Sequence, residues 1–278
     1  MAVDWILNLP CQPKEALGNG DLLVGTDTLL ACLKAGNRAA AVADMARQNG
    51  DSPEGTSIVV RVARADGEVE DQEVCYDDLV AQNRQLDPLA PACEGCPGNV
   101  LGRPFGCIGV VNYPIPATVE QWLVDRLQPS TVVGGKLFLA AIRDFGYTGQ
   151  PIQQFREGGL FELARPIKKK LKGGLFSSES VTTDQLFQAL FCIGEPLDPG
   201  HCLGVLFWLG CLRLDGAVVE SLEQAAAVSR LGGVAERQQR TALVTGGDPA
   251  ADGVSSFELL LQALYRSWVL NVPLWVSA

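Results

Sequence analysis

Residues 93–107 read CEGCPGNVLGRPFGC, with three cysteines, four glycines and two prolines. Glycine and proline at this density exclude the interior of a helix or a strand. The stretch is therefore a loop with little backbone pairing and no core of its own. Something other than apolar burial must hold it, and the thiols are the groups present to do so. Cys75 supplies a fourth. Seventeen residues separate Cys75 from Cys93, two separate Cys93 from Cys96, and ten separate Cys96 from Cys107.

The Cys-x-x-Cys pair is the informative part. Two intervening residues let one tight turn aim both sulfurs at a single point, and Gly95 and Gly98 permit that turn. Four thiolates from three chain segments suit a tetrahedral ion, so Cys75, Cys93, Cys96 and Cys107 read as a structural zinc site. The same thiols would serve a 4Fe-4S cluster, and Pro97 directly after Cys96 is of the type that closes ferredoxin cysteine runs. Ferredoxin spacing is more compact than this, which places zinc first. A third reading is a Cys93/Cys96 redox dithiol, although no βαβ pattern surrounds it.

Composition bears on the thiols through the compartment. The 278 residues are 47% apolar and 19% charged, with a formal net charge of −10. Such a chain folds around a core and is repelled by bulk nucleic acid and by anionic membrane surfaces. The N-terminal residues lack the basic region of a signal peptide, and the longest apolar stretch, Cys202 to Leu212, is too short to span a bilayer. A cytoplasmic protein is expected, where thiols stay reduced. Nine cysteines cannot all pair within one chain in any case.

Hydrophobic periodicity places the elements. Two short helices are expected in residues 26–48, capped by Thr26 or Asp27 and separated at Gly36-Asn37. Two β-type runs around Asp66-Gly67 read as a hairpin that delivers Cys75. A helix follows near Asp77, then the cysteine loop, then a short buried strand in IGVVN. From residue 117 onward the pattern turns helical, with caps at Thr182 or Thr183, Asp198, and Ser255 or Ser256. The expected class is α+β: N-terminal helices with a small β element and the Cys-rich loop in residues 1–115, then a mainly helical part in 116–278. One integrated domain is the alternative.

Other residues carry weaker signals. His201 is the only histidine, so any histidine-dependent catalysis must use it. It falls in the first turn of a helix capped by Asp198, which suits a neutral imidazole. Arg165, Lys168, Lys169, Lys170 and Lys172 form a basic run that suits an anion or an acidic partner. No aromatic residues interleave it, so nucleic-acid stacking is unsupported. Arg103, Asn112 and Tyr113 lie near Cys107 in sequence and read as an outer shell. Cys11 precedes a loop, and Cys32, Cys192, Cys202 and Cys211 read with it as core packing. The leading functional expectation is a scaffold or interaction protein with protein partners and a zinc-fixed loop. The alternatives are an iron–sulfur protein, or an enzyme using His201 or the Cys93/Cys96 dithiol.

Overall fold

The computed structural model describes residues 2–63, 69–173, 177–191, 196–214, 223–246 and 253–277. In chain order they form β1 (Ala2–Leu7), α1 (Gln12–Leu17), α2 (Leu22–Asn49), β2 (Ser57–Ala63), β3 (Val69–Cys75), α3 (Tyr76–Arg84) and a 3₁₀ segment (Asp87–Cys93). There follow β4 (Ile108–Asn112), α4 (Ala117–Arg126), α5 (Val133–Asp144), α6 (Gln150–Glu157), β5 (Lys168–Gly173), β6 (Ser177–Thr182), α7 (Thr183–Phe191) and α8 (Pro199–Trp208). The last elements are β7 (Leu212–Leu214), α9 (Glu223–Ser229), α10 (Val234–Arg240), β8 (Thr241–Leu243), α11 (Val254–Leu270) and β9 (Leu274–Ser277). This is the expected α+β class with a helical C-terminal half. Contacts group the chain into two units, one of Pro10–Cys96 and one of Met1–Leu9 with Pro97–Ala278.

In the smaller unit, α2 is one continuous helix rather than two short ones. Asp21 caps it, its carboxylate accepting from the amides of Leu23 at 2.9 Å and Val24 at 3.2 Å. That cap lies earlier than the expected Thr26 or Asp27. The Thr26 hydroxyl instead donates back to the Leu22 carbonyl at 2.7 Å. Gly36 does not break the helix because a neighbour occupies the space of its missing side chain. A Cβ there would stand 2.4 Å from Nδ2 of Asn83, whose amide donates to the Cys32 carbonyl at 3.1 Å. The helix ends at Gly50, which adopts φ 78°, the left-handed conformation that ends helices.

Three levels along α2 organise this unit. Near its start α1 crosses closely, since a Cβ on Gly25 would lie 1.8 Å from the Lys14 carbonyl oxygen. Further along, the end of α3 meets Cys32 and Gly36 through Asn83. Overlapping that level and reaching one turn beyond it, Ala35 and Ala39 form a small core with Leu79, covered by Val74, Val80 and Tyr76. β2 and β3 pair antiparallel from Ser57↔Cys75 to Ala63↔Val69. The expected hairpin strands are thus present, while Asp66-Gly67 lies outside the described residues. Val59 is 67% exposed, as alternation required of the wet face.

In the larger unit, β1 is the central strand of an antiparallel sheet ordered β4-β1-β9. Helix α11 packs on this sheet, α8 on α11, and α5 on α8. The apolar α8 buries Cys202, Leu203, Val205, Leu206, Phe207 and Trp208, as a helix apolar on nearly all sides must. Thr182 caps α7 reciprocally with Gln185: the Thr182 amide donates to Oε1 at 2.9 Å, and the Gln185 amide donates to Oγ1 at 3.3 Å. α11 starts one residue before the expected serines, with Gly253 as its cap, and the Ser256 hydroxyl donates to the Gly253 carbonyl.

A buried ion network ties α4, α6 and α7 together. Arg156 donates to Glu120 at 2.8 and 2.5 Å, to Asp184 at 2.6 Å and to the Leu163 carbonyl at 2.8 Å. Its guanidinium stands 4.3 Å from the centre of the Phe161 ring. Burial opposes the charge on Arg156, but the bonds to Glu120 and Asp184 outweigh it and hold its pKa above the usual value. No sequence pattern announced this network.

Candidate metal centre

The Cys93–Cys96 pair closes the smaller unit. Cys93 ends the 3₁₀ segment and is buried, while Cys96 is half-buried. The Cys96 amide donates to the Cys93 carbonyl at 3.2 Å, and Gly95 takes φ 70°. The pair therefore sits in one tight turn that needs a glycine, as the spacing predicted. The eight described cysteines are thiols, none of them in a disulfide.

A third thiol, Cys11, belongs to the same unit. Cys11 is the residue before α1, and α1 packs against the 3₁₀ segment that ends at Cys93. Burial pushes the Cys11 thiol pKa up; the Lys14 amide and ammonium pull it down, and the neighbouring Cys96 and Cys93 sulfurs push it up further. Cys11 is thus electrostatically coupled to both members of the Cys-x-x-Cys pair. It is half-buried, unlike the fully buried Cys32, Cys202 and Cys211 with which the sequence reading grouped it. Lys14, one turn on, is fully buried. The available signal was local: CQPK puts a cysteine at a helix start with Pro13 just inside, away from any apolar run.

Cys75 lies at a different level of the same unit. It is the last residue of β3 and the cap position of α3. Its neighbours Val74 and Tyr76 pack at the Ala35–Ala39 level of α2, whereas Lys14 crosses α2 at Gly25. At 1.5 Å rise per residue, those levels are roughly 15–20 Å apart along the helix axis. Cys107 belongs to the larger unit, where it is buried and its carbonyl accepts from the Leu7 amide at 2.9 Å. Among the described residues, no three His, Cys, Asp or Glu side chains are grouped at the spacing of a single metal ion.

The remaining candidates all lie in the larger unit. Arg103 and Asn112 are exposed. The Tyr113 hydroxyl is buried with no hydrogen-bond partner among the described residues, and burial pushes its pKa up to about 12. The basic run forms β5. Lys168 and Lys170 face outward, while Lys169 turns in and donates to the carbonyls of Val124 at 2.6 Å and Leu127 at 2.9 Å. Lys169 is therefore the C-terminal cap of α4, a position that suits a cation. Burial lowers its pKa. Arg165 is exposed, and the Lys172 side chain lies outside the described residues.

His201 occupies the position expected of it. The Asp198 carboxylate accepts from its amide at 2.9 Å, and its Nε2–H donates to the Ala189 carbonyl at 2.9 Å. Edges of Tyr147, Phe145 and Trp208 surround the ring. Burial pushes its pKa down, which keeps the imidazole neutral. His201 borders a mainly apolar cavity of about 510 Å³, with Asp144 and Asp198 also on its wall. Adjacent Cys202 points elsewhere, its thiol 3.3 Å from the Ser267 hydroxyl in the core. No helix among the described residues is long and apolar enough to cross a membrane. The chain matches no protein-family model, no curated protein and no solved structure.

Proposed function

We propose that the protein carries a thiolate-ligated metal centre on the Cys93–Cys96 turn, and that this centre is an iron–sulfur cluster. The observation behind this reading is that Cys93 and Cys96 share one glycine-dependent turn. Pro97 after Cys96 agrees in type with cluster-binding runs. The centre would give the chain a redox or sensing role in a reducing, cytoplasmic compartment.

Structural zinc is the second reading. Its support is that the loop following Cys93 has little regular pairing and gains most from a staple. On that reading the chain is a scaffold for protein partners.

Anaerobic purification with a visible spectrum and metal analysis tests both. Iron with acid-labile sulfide and a broad band near roughly 400 nm supports the cluster. A colourless protein with about one zinc per chain supports the staple. Neither metal, together with full thiol reactivity in the folded state, overturns the proposal.

A further inference from the structure

We propose that the cavity bordered by His201 binds an apolar organic cation, a molecule with a hydrocarbon or aryl body and one ammonium group. The site lies wholly in the larger unit and does not depend on the metal-centre reading.

The walls are sorted by polarity because α5 and α8 run antiparallel. At one end, a Cβ on Gly134 would lie 2.0 Å from the Phe207 carbonyl oxygen, and the Phe138 and Trp208 rings are 5.2 Å apart. At the other end, the Phe145 and His201 rings are 6.2 Å apart. Leu137, Ala140 and Ala141 of α5 line the length of the cavity with Leu203, Gly204 and Phe207 of α8. Asp144, Asp198 and His201 gather where α5 stops and α8 starts. Small side chains keep the space open, and Ala225 and Ala226 of α9 bound it without filling it. Leu137 and Asp144 are about 10 Å apart along the helix axis. The volume of about 510 Å³ falls within the roughly 300–1,000 Å³ of small-molecule sites.

The charges on the wall select the charge of the ligand. Among the described residues that line it, Asp144 and Asp198 are joined by no lysine or arginine. Arg143 adjoins Asp144 in sequence but is not on the wall, since consecutive helical residues diverge by about 100°. Asp198 already accepts from the His201 amide, which leaves Asp144 as the principal partner for a cation. Asp144 is the last residue of α5, where the helix dipole also presents negative charge. His201 adds no opposing charge. Its Nε2–H is given to the Ala189 carbonyl, so the neutral ring keeps its lone pair on Nδ1. Phe145 lines the same end and is 65% exposed, and the face of such a ring attracts an ammonium group. A carboxylate ligand would meet two like charges instead.

Isothermal titration calorimetry of the full chain tests this with three probes of one length: phenylbutylamine, phenylbutanol and phenylbutyrate, near neutral pH. The amine is expected to bind tightest and the carboxylate weakest. Asp144→Asn should weaken amine binding by about 2–5-fold, the range of one exposed ion pair, and leave phenylbutanol unchanged. Ala140→Phe places a ring midway along the cavity and should abolish binding of the amine. An amine affinity no greater than that of phenylbutanol, or one unchanged in either folded variant, overturns the proposal. So does an amine that does not bind the wild type at about 5 mM by calorimetry and by saturation-transfer NMR. Far-UV circular dichroism identifies a variant that does not fold. Photo-crosslinking of wild type with a diazirine-bearing phenylbutylamine then decides. Label on peptides of α5 and α8 upholds the site, and label confined to other segments overturns it.

Discussion

Arg156→Met removes the cation from a network whose other members stay buried. The Arg156 side chain is 2% exposed and Glu120 is 0% exposed, with Asp184 close behind. Met fills much of the aliphatic volume but offers no donor. Glu120 keeps one bond, from the Thr183 hydroxyl at 2.6 Å; the guanidinium bonds to Glu120 and Asp184 are lost. Breaking a buried pair by removing one partner costs about 3–5 kcal/mol, because the remaining charge is uncompensated. Loss of the cation over the Phe161 ring adds about 0.5–2 kcal/mol. The expected total near 5 kcal/mol raises the unfolded-to-folded ratio by between about three and four decades, at about 1.4 kcal/mol per decade. At about 2–4 °C per kcal/mol, the melting temperature falls by roughly 10–20 °C. Urea unfolding followed by tryptophan fluorescence, with a parallel thermal scan, measures it. The loss must also depend on pH. Orphaned buried carboxyls have folded pKa values above their unfolded values of about 4. Their contribution is therefore favourable below pH 4 and is lost as pH rises through the folded values. The deficit of Arg156→Met against wild type grows from pH 4 to pH 7.5. A loss under about 1 kcal/mol, or one equal at both pH values, refutes this account of the network.

Other consequences are equally direct. His201 is held neutral by burial, so its folded pKa lies below its unfolded value of about 6.5. Wild type loses stability as pH falls below that value, and urea midpoints between pH 7.5 and 5 should show a steeper fall than in His201→Gln. Lys169→Met removes the cation that caps α4 and should cost about 1–2 kcal/mol in urea unfolding; an unchanged midpoint removes the cap from the account. Gly25→Ala drives a Cβ into the Lys14 carbonyl, which should cost about 1–3 kcal/mol despite alanine's better helix propensity.

Much of the fold was legible wherever the deciding chemistry is local. Asp198 and Pro199 announced α8, Thr182 announced α7, Gly50 announced the end of α2, and alternation in SIVVRVA announced β2. The errors have a common cause. Gly36 reads as a break until Asn83 is seen to fill its space. The basic run reads as an open patch until Lys169 is seen to turn in to the carbonyls that end α4. Arg156, Glu120 and Asp184 carry no mutual signal along the chain, yet they form the most heavily bonded charge cluster described here. The cysteine site divides in the same way. The Cys93–Cys96 turn could be read directly, because glycine and two-residue spacing confine it. The placement of Cys75 at the Ala35–Ala39 level of α2, and of Cys107 in the larger unit, could not.

The sequence by itself determined that 93–107 is a thiol-rich turn region, that most helices start and stop where they do, and that the class is α+β. Those outcomes depend on φ preferences, caps and periodicity within a few residues. Only the tertiary structure decided the levels at which the other elements meet α2. α1 crosses it at Gly25, while Val74 and Tyr76, on either side of Cys75, pack at Ala35–Ala39. Proximity along the chain falls off within a helix turn or two, while packing joins residues that the chain separates widely.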